Sequence, residues 1–242
     1  MPAERYHMIR PVGFAAISPS PNPANQNRYI IVMRAKGDKT CLVPELNSKG
    51  LLGAVDLKDP GHYGGPKGLA SYAAVLHTPY QVSIMGLYET LAAGGTYIIP
   101  SYSFLRSIAA RCIEMRFIAR WNSLEPEIEQ LWEWYHADLR EAFVYFDSWD
   151  HLAQLMNDPK TADMLKDKKA MGQKIMARIR EESLSTFVAF DAKLNDTIAT
   201  KIKKFSSMYD TKKIGYIDPY TLASELNATN HFHNVRLAPP PT

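Results

Sequence analysis

The chain has 242 residues, of which 46% are hydrophobic and 22% are charged, a composition that fits a globular protein with a sizeable core. Its 28 Lys and Arg residues against 25 Asp and Glu residues give a net charge of +3, and this near balance argues against a dedicated nucleic-acid-binding protein. No stretch approaches the roughly 18 uninterrupted apolar residues of a transmembrane helix, so no membrane span is predicted.

Cysteine content and the N-terminal sequence both bear on the cellular compartment. Cys41 and Cys112 are far apart in sequence and have no histidine at metal-ligand spacing, so we expect neither a disulfide framework nor a zinc site. The segment from Met1 to Ile9 lacks the apolar run of a secretory signal. The sequence therefore predicts a cytoplasmic protein.

Short apolar runs alternate with segments of helical spacing over the first two thirds of the chain. A Pro- and Asn-rich linker is predicted from Ser18 to Asn27. The predicted strands are Tyr29 to Met33, Leu51 to Leu57, Ala73 to Leu76, Tyr97 to Ile99 and Val144 to Phe146. The predicted helices are Pro66 to Tyr72, Ser83 to Ala93, Phe104 to Phe117, Pro126 to Arg140 and Ser148 to Met156. This alternation predicts an α/β fold with a Rossmann-like parallel sheet flanked by helices.

A change in composition near residue 158 predicts an amphipathic helical segment. From Asp158 to about Phe205 the chain is rich in Lys, Met and Glu, and its positive residues are interspersed with acids, as is typical of a solvated helix face. We therefore predict a Rossmann-like domain over residues 1–157, a helical extension that packs on it over 158–205, and a partly disordered tail over 206–242.

The segment from His77 to Ser101 combines the end of a buried strand, a Pro-containing loop and the start of a helix. Loops at the carboxyl ends of parallel strands are where open α/β sheets bind ligands. A helix that begins near Ser83 offers backbone N–H groups and a positive dipole end, which suit an anion such as a diphosphate. The side chains of Gln81 and Ser83 can add hydrogen bonds. The candidate ligand-binding positions in this loop are Tyr80, Gln81, Val82, Ser83 and Ile84.

The predicted helix has two distinct faces. At about 100° per residue, Ile84, Leu87, Tyr88 and Leu91 share the face that we expect to pack on the sheet. Glu89 lies on the other face among small residues. A carboxylate only accepts hydrogen bonds, which suits it to the two hydroxyls of a ribose, whereas a surface glutamate with no ligand is the alternative.

This block of residues resembles the C-terminal, donor-binding domain of GT-B glycosyltransferases. Many retaining members of that family carry two glutamates separated by seven residues across this loop and helix, followed by a small turn, a strand and a Pro-Ser-like end. Glu89 matches the second glutamate, and Gln81 stands in place of the first. The resemblance implies that Glu89 contacts the donor ribose and that the helix start near Ser83 holds the diphosphate. The substitution at Gln81 leaves the stereochemical class open.

Four further residues, in two places, are candidates in the light of this resemblance. Arg34, Lys36 and Gly37 follow the first strand, where family members place basic and glycine residues near the pyrophosphate, with a solvated turn as the alternative. His77 ends a strand at the ligand edge, where it can contact sugar or base or serve as a hydrogen-bonded structural residue. His231 and His233 have metal-like spacing for a strand, but no acidic or cysteine partner lies nearby in sequence.

The resemblance implies a glycosyltransferase donor half that uses a nucleotide-diphosphate sugar as substrate, with no separate cofactor or metal and an unknown acceptor. Members of the family place the active site between two domains, so an N-terminal acceptor domain or a partner chain is expected. The alternative is a non-catalytic nucleotide-sugar-binding or protein-interaction module that uses the aromatic-rich segment from Trp121 to Tyr135. A dinucleotide oxidoreductase is disfavoured because no GxGxxG motif follows a strand.

Overall fold

The structure is a computed structural model, and it describes residues 25–33, 36–115 and 126–208. Five strands and six α-helices lie within these residues. The strands are β1 (Tyr29–Val32), β2 (Val55–Lys58), β3 (Ala74–Leu76), β4 (Tyr97–Pro100) and β5 (Phe143–Phe146). The helices are α1 (Val43–Ser48), α2 (Gly65–Ala70), α3 (Met85–Ala92), α4 (Tyr102–Arg111), α5 (Trp149–Asn157) and α6 (Thr161–Met208).

The strands form one parallel sheet in the order β2-β1-β3-β4-β5. This arrangement confirms the predicted Rossmann-like α/β fold. The chain passes from β1 outward to β2 and then returns to the other side of β1 to form β3, so the direction of winding reverses between β1 and β3. In doubly wound sheets of this order, the crevice outside the carboxyl ends of those two strands is the usual ligand site.

The strands separate two apolar cores, one on each face of the sheet. Ile30, Val75 and Tyr97 contribute to a core that includes α2, α3 and α4, while Ile31, Leu76 and Ile98 contribute to a core that includes α1 and α5. Adjacent strand residues point to opposite faces, so these short runs are buried on both sides. Burial on both faces explains why the strands read as continuous apolar sequence.

Helix α3 begins and ends close to its predicted limits. Its residues Leu87, Tyr88 and Leu91 are fully buried, which confirms the predicted sheet-facing side. At its C-terminus, the Gly95 N–H donates to the Thr90 carbonyl and the Gly94 N–H donates to the Leu91 carbonyl. Gly94 has φ of 84°, so these bonds form a Schellman motif that requires a residue in the left-handed region.

The predicted helix from Pro126 to Arg140 is wrong. The structure has a 3-10 helix over Pro126–Leu131, then turns, and a second 3-10 helix over Arg140–Ala142. Trp132 and Trp134 are both fully buried although they lie two residues apart, and residues two apart on an α-helix do not share a face. Burial of both indoles therefore takes precedence over the helical pattern.

The segment after β1 also differs from the prediction of a loop. Residues from Lys36 onward are helical, with a π-helical stretch over Asp38–Leu42 that leads into α1. Helix α4 ends at Arg111, short of the predicted Phe117. Helix α5 lies within one residue of its predicted limits, and Ser148 is its N-cap and accepts a hydrogen bond from the His151 N–H at 3.0 Å.

The predicted amphipathic segment is the long helix α6. The chain divides into two compact units, Met1–Phe187 and Val188–Thr242. Within the first unit, Ile175 and Ile179 of α6 belong to the same core as α3. A Cβ at Gly172 would lie 3.1 Å from Leu91, so α6 approaches α3 closely. The predicted boundaries at residues 157 and 205 remain predictions. Of the tail predicted over 206–242, residues 206–208 belong to α6, and the rest lies outside the described residues.

Cys41 and Cys112 form a disulfide, contrary to the expectation from their separation in sequence. The π-helical stretch after β1 packs beside the end of α4, and this brings the two Cα atoms to 6.1 Å, within the range that a disulfide spans. Sequence separation carries no information about this proximity. Within the described residues, no helix is long and apolar enough to cross a membrane.

Reduction of this disulfide is expected to lower the free energy of unfolding by about 2–4 kcal/mol, because the bond closes a long loop in the unfolded chain. Urea denaturation with and without dithiothreitol measures the difference. The double variant Cys41→Ser/Cys112→Ser serves as control, since its stability should not respond to dithiothreitol. Two free thiols per chain in protein purified without reductant would contradict the pairing.

Gly94→Ala is expected to lower the free energy of unfolding by about 1 kcal/mol, because alanine is strained at positive φ. Gly53→Ala is the matched control, since a Cβ at that position meets nothing within 4 Å and Gly53 lacks a positive φ. Thermal denaturation of both variants gives the comparison. Equal stability of the two variants would show that the turn after α3 does not depend on glycine.

Candidate functional site

A cavity of about 320 Å³ opens at the carboxyl edge of the sheet, beside the switch point between β1 and β3. Strand residues Val32, Val75 and Tyr97 form its floor, and Tyr63 and Leu69 contribute one wall. The segment between β3 and α3 and the first turn of α3 contribute the remaining lining residues, which are His77, Tyr80, Gln81, Ser83, Ile84, Met85 and Gly86. The cavity therefore lies where the fold and the sequence both predict a ligand.

Half of the predicted site residues meet in this cavity. His77, Tyr80, Gln81, Ser83 and Ile84 line it, and Val82, at 38% exposure, lies between two of them in sequence. Glu89 is half-buried on α3 and is not part of the lining. Lys36 and Gly37 are not part of it either, and Arg34 lies outside the described residues.

The two predicted residues after β1 have other contacts. Lys36 is largely exposed, and its ammonium lies 3.6 Å from the Glu114 carboxylate. Gly37 packs so closely on Met115 that a Cβ would lie 2.2 Å from the sulfur. The described part of the cavity wall contains no lysine or arginine. The expected basic loop is a helical turn here, and Gly37 allows this turn to pack closely on Met115.

A buried carboxylate joins the ends of β1 and β3 below the cavity. Asp38 is 1% exposed; its Oδ2 lies 2.8 Å from His77 Nδ1, and its Oδ1 accepts a hydrogen bond from the Thr78 N–H at 2.6 Å. Sequence reasoning missed Asp38, although an acid one turn after the first predicted strand is the available signal. Its two bonds position the start of the ligand loop.

The His77 side chain is enclosed by aromatic rings. Its ring centroid lies 5.2 Å from that of Trp134, 5.8 Å from that of Tyr80 and 6.3 Å from that of Tyr97. The side chain is only 10% exposed. Its Nε2 is buried and has no hydrogen-bond partner among the described residues. A buried polar atom without a partner beside a cavity is typical of a site that a ligand completes.

The turn between β3 and α3 is held by the Trp134 segment. The Trp134 indole N–H donates to the Gln81 carbonyl at 2.9 Å, and the Glu133 N–H donates to the Val82 carbonyl at 3.0 Å. Trp134 is fully buried, and the Tyr145 hydroxyl in turn donates to its carbonyl at 2.7 Å. These bonds fix the backbone that leads to the start of α3.

Tyr97 contributes a buried hydroxyl at the base of α3. It donates toward the Thr90 hydroxyl at 3.1 Å and the Gly86 carbonyl at 3.3 Å. Burial raises the pKa of Tyr97 far above that of an ordinary tyrosine, and the nearby negative charge of Glu89 also contributes. The hydroxyl therefore remains protonated at physiological pH and ties the first turn of α3 to the sheet.

The start of α3 faces the cavity without a side-chain cap. Ile84 is the N-cap in an extended conformation, and no side chain accepts a hydrogen bond from the first turn. The first N–H groups of a helix have no intrahelical acceptor, so an anion can accept their hydrogen bonds. A Cβ at Gly86 would meet nothing within 4 Å, so the approach to this turn is open.

A second cavity of about 400 Å³ lies between α1, α4 and the start of α5. Its lining includes Phe104, Trp149, Arg111 and the disulfide, and it contains none of the predicted site residues. No buried unpartnered side chain of the described residues lines it. The smaller cavity is therefore the stronger candidate. Within the described residues, no group of three potential metal ligands occurs in either place.

Comparisons with known protein families, with curated proteins and with solved structures find no match.

Trp134→Phe is expected to loosen the turn between β3 and α3, because it removes the hydrogen bond to Gln81 while retaining an aromatic ring. Loss of one such bond costs about 1 kcal/mol. Hydrogen–deuterium exchange should become faster in peptides that cover residues 80–87. Trp149→Phe is the matched control, and equal exchange in the two variants would contradict this role for Trp134.

Proposed function

We propose that the cavity binds a nucleotide-diphosphate sugar and that this chain is the donor-binding half of a glycosyltransferase. The observation that carries the proposal is that His77 Nε2 is buried without a hydrogen-bond partner among the described residues, beside a cavity at the switch point of a doubly wound sheet. The resemblance of residues 77–101 to GT-B donor domains supports this ligand class, since five of the residues chosen from that block line the cavity.

The two parts of such a ligand have matching features in the site. The uncapped start of α3 suits the diphosphate, because its N–H groups and dipole favour negative charge. The aromatic rings of Tyr63 and Tyr80 suit a base or sugar ring, which stacks or packs on aromatic faces. The cavity volume lies at the lower end of the range for small-molecule sites, which suits part of a nucleotide rather than a dinucleotide.

The described cavity wall supplies no cation to offset the charge of a diphosphate. The described wall thus offers uncharged donors, which are the backbone N–H groups at the start of α3 and side chains such as those of Gln81 and Ser83, and a second domain or partner chain would supply further charge and the acceptor site. The ribose contact of Glu89 and the pyrophosphate contacts of Arg34 and Lys36 remain predictions. The acceptor, the sugar and any cofactor requirement also remain predictions of this kind.

The predicted cytoplasmic location is part of this proposal and has one observation against it. A reducing compartment keeps most cysteine pairs as thiols, whereas Cys41 and Cys112 are bonded here. The thiol count of protein purified without reductant bears directly on this question.

The protein-interaction alternative now depends on a different surface. Trp132, Trp134 and Tyr135 are buried in the core, so these three described aromatic residues do not offer a docking surface, and Trp121 lies outside the described residues. Exposed apolar side chains instead occur on α6 in two places. They are Leu184 and Phe187 in the first unit, and Val188, Leu194 and Ile198 in the second. Such residues favour contact with a protein partner.

Calorimetric titration with uridine, guanosine and adenosine diphosphates and their hexose conjugates tests the proposal. We expect one of these nucleotides to bind, and Gly86→Leu to weaken its binding at least tenfold, because the new side chain enters the approach to α3. Leucine also favours a helix more than glycine does, so the fold should be retained. Gly53→Leu is the control, since its side chain extends into open space away from the cavity lining.

Absence of binding by every nucleotide would overturn the donor-site proposal and leave the interaction module. Nucleotide binding that Gly86→Leu leaves unchanged would place the site elsewhere on the chain. Circular dichroism of each variant separates loss of the site from loss of the fold.

A further inference from the structure

The Asp38 carboxylate determines which atom the His77 Nδ1 hydrogen bond needs. A carboxylate accepts hydrogen bonds and donates none, and Oδ1 already accepts the Thr78 N–H. Oδ2 lies 2.8 Å from His77 Nδ1, so this nitrogen has to carry a hydrogen for the contact to be favourable. In a neutral imidazole only one nitrogen is protonated. Nε2 then carries a lone pair.

The surroundings of Nε2 agree with a lone pair on that atom. Nε2 is buried without a partner among the described residues. An unsatisfied buried N–H is rarer in folded proteins than an under-satisfied acceptor, so the empty position suits an acceptor better than a donor. His77 lines the cavity and Asp38 occupies its Nδ1, so Nε2 is the ring nitrogen that is left for a ligand.

We propose that Asp38 is a positioning residue that holds His77 in the Nδ1–H tautomer, so that Nε2 accepts a hydrogen bond from a hydroxyl or ring N–H of the bound ligand. This inference rests on the proposed nucleotide-sugar site and deepens it. A phosphate oxygen cannot satisfy Nε2, because both atoms are acceptors. The diphosphate therefore lies at the start of α3, and the part of the ligand at His77 is the sugar or the nucleoside.

Asp38→Asn separates this role from simple packing, because it retains shape and removes one acceptor. The asparagine Oδ1 can still accept the Thr78 N–H, but its amide group then donates toward His77 Nδ1. Nδ1 has to become the acceptor, and the hydrogen moves to Nε2. The ring nitrogen shifts in ¹⁵N-labelled protein report the tautomer without any ligand. We expect Nδ1–H in the wild type and Nε2–H in Asp38→Asn.

The same nitrogen shifts provide the test that is independent of nucleotide binding. A wild-type His77 with hydrogen on Nε2 would overturn the inference even if nucleotides bind. An Asp38→Asn variant that retains Nδ1–H would overturn it as well. Failure of the wild type to bind any nucleotide would instead overturn the proposed function, and the tautomer result would still stand.

Titrations with a nucleoside diphosphate and its hexose conjugate identify the donor group on the ligand. We expect Asp38→Asn to weaken binding about tenfold, because a donor then faces a donor. Weakening of both ligands places the group on the nucleoside, and weakening of the hexose conjugate alone places it on the sugar. Unchanged binding of both ligands would overturn the role of Asp38 in recognition.

The double variant Asp38→Asn/His77→Phe tests whether Asp38 acts through His77. We expect it to bind no more weakly than His77→Phe, since the imidazole that Asp38 orients is gone. Additive losses would overturn the positioning role. Asp59→Asn is the control for a change of charge, because Asp59 is exposed and lies away from the cavity lining. Thermal melts identify any variant that does not fold. If the double variant does not fold, the titrations still compare ligand binding by the wild type with that by His77→Phe.

Discussion

The contact of Asp38 with His77 and Thr78 is the constraint on which the candidate site depends. It is buried, and it joins the segment after β1 to the segment after β3, where the winding of the sheet reverses. Breaking one side would leave a carboxylate or an imidazole without its partner in a region closed to water, which is costly. The crevice at the switch point is therefore built around a fixed polar pair.

The cavity exists because the polypeptide beyond this pair is held away from the sheet. The Trp134 indole and the Glu133 N–H hold the turn after His77 from outside, and the Tyr97 hydroxyl holds the first turn of α3 from below. Between these supports, Gly86 leaves the approach to the helix start open. The core residues on α3 and the close contact of Gly172 with Leu91 keep the helix in this orientation.

The architecture could be predicted from sequence because local signals agree with it. Runs such as Tyr29 to Val32 are continuous and apolar, and Gly94 marks the end of α3, so the strands and that helix follow from pattern alone. The predictions that failed concern features that depend on tertiary contacts. Trp132 and Trp134 are buried together, and Cys41 meets Cys112 across a separation of 71 residues. Asp38 belongs to the same group, because its position after β1 is the available signal but its partner His77 is 39 residues away in sequence.

The charge of the site bears on how an anion would be recognised there, by the geometry of hydrogen bonds or by long-range electrostatic attraction. The described cavity wall has no lysine or arginine, and Lys36 instead lies near Glu114. An anion held only by backbone N–H groups gains directional hydrogen bonds but little long-range attraction. The acceptor that we propose at His77 Nε2 adds selectivity for a hydroxyl or N–H, because a second acceptor group cannot form a hydrogen bond at that point. The proposed ligand, which joins a diphosphate to uncharged rings, would satisfy both ends of the cavity at once. Free phosphate or an acidic peptide satisfies only the start of α3.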